Sequence, residues 1–119
     1  MATGSDPEVY AQRWVNSWNS RDLDTILAEY APNVVFRSPI AAQVVPGSDG
    51  TIRGVGALRS YWESALARNP DLRFELREAF YSPGAIAVRY ETQQGVSRLE
   101  VLSFVAGQVS QGWGFLPAT

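Results

Sequence analysis

Glu100 stands in the run Ser97 to Val105, where residue types alternate, so Glu100, Leu102 and Phe104 share one face of an expected strand. If that face turns inward, a carboxylate sits among apolar neighbours. Burial disfavours its charged form and raises its pKa, which suits it to act as a general acid or base or to hold a ligand hydroxyl. The same side chain can instead pair structurally with Arg89 or Arg98. Arg89 and Glu91, two residues apart, likewise share one sheet face, and cross-strand ion pairing on a solvated surface is the plainer reading of them.

The 119 residues include no histidine and no cysteine. These absences rule out thiolate nucleophiles, disulfides, Cys-ligated metal sites and any Ser-His-Asp arrangement. Acid–base chemistry near neutral pH is left to a carboxylate shifted by burial, a tyrosine or a bound water. Neither a metal nor an organic cofactor is expected. Trp14, Trp18, Tyr61, Trp62 and Trp113 can wall an apolar ligand cavity, or can simply form core. Their N–H and O–H groups need polar partners, which favours a cavity more than the same number of leucines would.

Ten basic against twelve acidic residues give a formal charge of −2, and the arginines are scattered singly, so nucleic acid is not an expected partner. No apolar run approaches the roughly 20 residues that span a bilayer, and Met1 to Glu8 lacks the basic and apolar regions of a signal peptide. A cytoplasmic protein without membrane contact is expected. All basic residues are arginine, which together with abundant Ala and Gly suggests a GC-rich bacterial genome.

One domain is expected over residues 1–119. Ser5 and Glu8 have capping-box spacing, with Pro7 near the first helical position, and Tyr10, Trp14 and Trp18 recur every fourth residue to about Asn19. Asp22 can cap a second helix with Leu23, Ile26, Leu27 and Tyr30 on its buried face, stopped by Ala31-Pro32-Asn33. Val34 to Ser38 reads as a strand and Pro39 to Gly50 as a long loop, a candidate pocket lip. Leu58, Tyr61, Trp62, Ala65 and Leu66 define a third helix closed by Asn69-Pro70. Alternation then takes over, with Leu72, Phe74 and Leu76 opposite Arg73, Glu75 and Arg77. Strands follow at about 85–93, 97–105 and 108–115, separated by turns at Gln94-Gly95 and Ala106-Gly107.

Three segments carry a resemblance: Trp14-Val15-Asn16-Ser17-Trp18-Asn19-Ser20-Arg21-Asp22-Leu23-Asp24, Tyr30-Ala31-Pro32-Asn33-Val34-Val35-Phe36 and Ile52-Arg53-Gly54. In this order the chain resembles the SnoaL-like branch of the nuclear transport factor 2-like superfamily, from about Val9 to Phe115. The resemblance implies an α+β fold, a cystatin-like cone in which a curved antiparallel sheet wraps around three helices from the N-terminal half. Ketosteroid isomerases are similar around Arg13-Trp14-Val15 and Asp22-Leu23-Asp24. Their helix-one Tyr, general-base Asp and protonated Asp correspond here to Trp14, Ser38 and about Leu102, which keeps those positions in the pocket but vacates the roles. Limonene epoxide hydrolases are similar at Arg89-Tyr90-Glu91, where an Arg-x-Asp helps activate water. Their second Asp, two residues after a Trp, corresponds to Phe115 after Trp113.

The expected site therefore has Glu100, Arg89 and Glu91 as its chemical groups, with Trp14, Trp18, Ser38, Tyr61, Trp62, Leu102 and Trp113 lining it. The expected ligand is a small apolar molecule, acted on by an isomerase, cyclase or hydrolase using carboxylate acid–base chemistry. A non-catalytic ligand-binding protein or a dimerisation module is the alternative. A homodimer through the outer sheet face is expected.

Overall fold

The computed structural model describes residues 6–118. Helix α1 (Pro7–Ser20) begins at Asp6, whose Oδ1 accepts the backbone N–H groups of Glu8 at 2.8 Å and Val9 at 3.4 Å. Asp6 thus caps the helix where Ser5 was expected to, and Ser5 itself lies outside the described residues. The helix ends at Arg21, which takes a left-handed conformation and donates its guanidinium to the carbonyls of Leu66 and Asn69. Tyr10, Ala11, Trp14, Val15 and Trp18 form the buried stripe.

Helix α2 (Leu23–Leu27) is capped by Asp22 but is shorter than the apolar spacing predicts. Tyr30, expected on its buried face, instead opens strand β1 (Tyr30–Arg37), opposite Val109. The register of β1 shifts between Tyr30 and Val35, so Pro32 sits in an irregularity where a missing N–H costs no ladder bond. The expected loop after β1 contains a helix, α3 (Pro39–Val44). Ser38 Oγ accepts the Ile40 N–H at 3.1 Å and Pro39 fills the first helical turn, so a dipeptide that ends one element also starts the next.

Strand β2 (Thr51–Arg53) leads through Gly54, at φ 89°, into α4 (Val55–Arg68), making four helices among the described residues where three were expected. The meander then runs through β3 (Phe74–Ser82), β4 (Ala85–Thr92), β5 (Ser97–Val105) and β6 (Gln108–Phe115). A two-residue turn joins β5 to β6, with Ala106 and Gly107 both at positive φ, the backbone twist that tight hairpins favour.

The six strands form one curved open sheet in the order β2-β1-β6-β5-β4-β3. It is not wholly antiparallel as expected: β1 and β6 run parallel, while the other neighbouring strands pair antiparallel. The crossover from β1 through the helices and meander brings β6 back alongside in the same direction. One sheet face carries Phe36, Phe74, Ile86, Val88, Tyr90 and Leu102, all buried with the stripes of α1 and α4 in a single core. Asn19 ties α1 to the sheet edge with a paired contact, donating to the Phe74 carbonyl at 2.9 Å and accepting the Phe74 N–H at 2.8 Å. No helix among the described residues is long and apolar enough to cross a membrane.

Candidate functional site

A cavity of about 260 Å³ opens between α1, α4 and the inner sheet face. It is somewhat below the roughly 300–1,000 Å³ of sites for drug-sized ligands, so a compact molecule of one or two rings fits it best. Trp14 and Trp18 come from α1, Tyr61 and Trp62 from α4, Phe36 from the end of β1, Ser38 from the cap of α3, and Phe74 and Tyr90 from the meander. The rings support one another: Trp18 and Trp62 meet edge to face at 4.8 Å, Trp14 lies 5.3 Å from Tyr90, and Phe36 meets Trp62 at 5.3 Å. Such contacts fix the wall's shape before a ligand arrives.

Glu100 lines this cavity and is only 5% exposed. Strand alternation explains its position, since Leu102 on the same face is fully buried and Leu99 and Val101 lie on the other. Burial pushes the Glu100 carboxyl up to about 8, and the weaker pull of Arg98, two residues earlier on the same face, does not offset it. No ion pair of the described residues includes Glu100. At neutral pH the group is therefore mainly a neutral acid that can donate a proton.

Room beside the carboxyl comes from a glycine. A Cβ placed on Gly114 would lie 3.5 Å from Ser38 Oγ and 3.6 Å from Glu100 Oε1, so this position opens a small space flanked by a hydroxyl and a carboxyl. The Tyr61 and Tyr90 hydroxyls are also held protonated, chiefly by burial; Ser38 and Arg98 respectively pull the other way. Tyr30, raised by burial and then by Glu100, accepts the Trp14 Nε1–H at 3.4 Å, which satisfies that indole from behind the wall.

Arg89 and Glu91 do not join the site. They lie on the outer sheet face, because Tyr90 between them takes the inner one. Arg89 pairs with Glu78 at 3.6 Å, and Glu91 pairs with Arg77 at 3.2 Å, whose hydrogen bond holds the Glu91 carboxyl below its usual range. Trp113 is also outside the cavity: it faces outward under Arg37, whose guanidinium lies 4.9 Å from its ring. Leu102 is core beneath the cavity floor and fully buried. Trp14, Trp18, Ser38, Tyr61, Trp62 and Glu100 are brought together.

Sequence reasoning missed Phe36, Phe74, Tyr90, Arg98 and Gly114 as lining residues. Period-two alternation carried the signal for two of them, since placing Glu100 inward also places Arg98 inward and placing Arg89 outward turns Tyr90 inward. Gly114 follows similarly, because it pairs directly with Glu100 across β5 and β6.

A family model described as a SnoaL-like domain matches residues 11–109. A SnoaL-like protein of unknown function from Burkholderia thailandensis is 29% identical over 94% of each chain, with a TM-score of 0.88. A protein of unknown function with a cystatin-like fold from Methylobium petroleophilum shares the architecture at 15% identity and a TM-score of 0.72, over 94% of this chain and 76% of its own. TerC, co-crystallised with polyporic acid, shares it at 16% identity and a TM-score of 0.74, over 94% of this chain and 92% of its own. No curated protein matches the chain.

Proposed function

Because the chain belongs to the SnoaL-like domain family, we propose that it is an acid–base protein of that family, with Glu100 as its proton-transfer group and a compact, largely apolar ring compound as its ligand. One observation carries the reading: a carboxyl 5% exposed, unpaired and raised to about 8 opens onto an aromatic-walled cavity. A neutral acid in that setting stabilises negative charge developing on a carbonyl oxygen, by donating its proton as the adjacent C–H bond breaks and water takes the carbon-bound proton. The products of that step are an enol, hydronium and the Glu100 carboxylate. Enolisation of this kind is common to isomerisation and to ring closure. The hydrolase version is less well supported, since Arg89 and Glu91 lie on the opposite face of the sheet.

Deuterium exchange into the position next to the carbonyl of indanone, followed by NMR in heavy water, tests this without knowledge of the natural substrate. The protein should accelerate exchange, and Glu100→Gln should lower the acceleration by about 100-fold or more, the usual scale of general acid–base catalysis. Indanone that binds, as read by tryptophan fluorescence, but exchanges no faster than in buffer contradicts the catalytic reading. That outcome supports a ligand-binding protein, a second reading favoured by the Trp, Ser and Leu at positions 14, 38 and 102.

A further inference from the structure

The charges around the cavity do not balance. Arg68 and Arg98 both line it, Glu100 is the one carboxylate residue among its lining, and neither arginine belongs to an ion pair of the described residues. Two buried donors have no partner there: Arg98 Nε and Trp18 Nε1. Buried donors of this kind are rare because each forfeits its hydrogen bonds to water, and both belong to side chains that line the cavity.

From this geometry we infer that the cavity takes an acidic ligand, a ring compound whose carboxylate or enolate oxygen is bound by Arg98 while its apolar body lies against Trp14, Trp18 and Trp62. The inference rests on the reading of the cavity as a ligand site and adds the chemical class of what enters it. An anion supplies acceptors to the Arg98 guanidinium, whose wall neighbours are the Tyr90 hydroxyl and the neutral Glu100, and the planar fork of that group suits a pair of oxygens. Glu100, neutral at neutral pH, does not repel such a ligand and can donate to it. Arg68 is exposed, so its contribution is at the mouth, where water screens it.

Cinnamate and its neutral isostere cinnamamide provide the test, titrated separately at neutral pH with the fluorescence of the wall tryptophans as readout. The acid is expected to bind about ten-fold more tightly than the amide, the gain of roughly one charge-assisted hydrogen bond. Arg98→Gln should erase that preference, leaving acid and amide with equal affinity. Arg98→Lys keeps the charge without the planar fork and should retain part of the preference. Equal binding of acid and amide by the unaltered protein overturns the inference while the ligand-site reading stands. A preference that survives both Arg98 variants but is lost in Arg68→Gln also overturns it, by moving the anion to the mouth. If neither compound binds at millimolar concentration, the inference and the ligand-site reading fall together.

Discussion

A buried carboxyl held near 8 is a burden on folding that its chemistry has to justify. The unfolded chain ionises Glu100 at the ordinary value of about 4.3, whereas the folded chain keeps its proton up to about 8. Between those values the folded state binds the extra proton, so stability falls as pH rises, by up to roughly 1.4 kcal/mol per pH unit, and levels off above the folded value. Glu100→Gln removes the charge and keeps the shape. Its stability is expected to be flat across that window and to exceed the unaltered protein's at the alkaline end, as read by urea unfolding at a series of pH values. A parallel pH dependence in both proteins would show that Glu100 is not the group responsible. Gly114→Ala probes the same spot from the neighbouring strand. The added methyl meets Ser38 Oγ and Glu100 Oε1 at ordinary contact distance, so the fold should lose less than about 1 kcal/mol while ligand affinity drops at least several-fold. Unchanged affinity would mean that no ligand atom occupies the space beside the carboxyl.

Each element of the pocket depends on a contact that either follows a local pattern or escapes one. The stripes of α1 and α4, the meander and its turns were legible because hydrophobic period and turn residues are local signals. The inward position of Glu100 was legible from alternation as one of two readings. Helix α3 was not, since Ser38-Pro39 ends a strand as readily as it caps a helix, and six residues give little periodicity. The early start of β1 was hidden too, because Tyr30 joins the sheet through a partner 79 positions away at Val109. Asn19 illustrates the same limit: nothing near it in sequence announces that its amide clasps the backbone of Phe74. Asn19→Ala removes both bonds at a half-buried site and should cost about 1–3 kcal/mol in urea unfolding. A loss well below that would mean that water replaces the amide at no cost, and that α1 is held to β3 by aromatic packing alone.

As a whole molecule, the protein presents an aromatic-walled cavity on one sheet face and a patterned surface on the other. The outer face sets Leu99, Val101 and Trp113, each half-buried, beside the Arg77 cluster with Glu75 and Glu91 and the Arg89 pair with Glu78. Apolar strips flanked by both signs of charge suit a two-fold contact with a second copy, and we propose a homodimer through this face. Sedimentation at tens of micromolar should show it, and Val101→Glu should return it to monomer; a monomer throughout would refute the proposal. The inner face bears the central claim, that the fold surrounds one carboxyl closely enough to keep it a neutral acid at neutral pH. An NMR titration of isotope-labelled glutamate carboxyls, with Glu100→Gln to assign the signal, measures this directly. A Glu100 midpoint of about 8 is expected, and a midpoint in the ordinary range near 4.3 would show that the carboxyl is ionised at neutral pH and refute its role as a neutral acid.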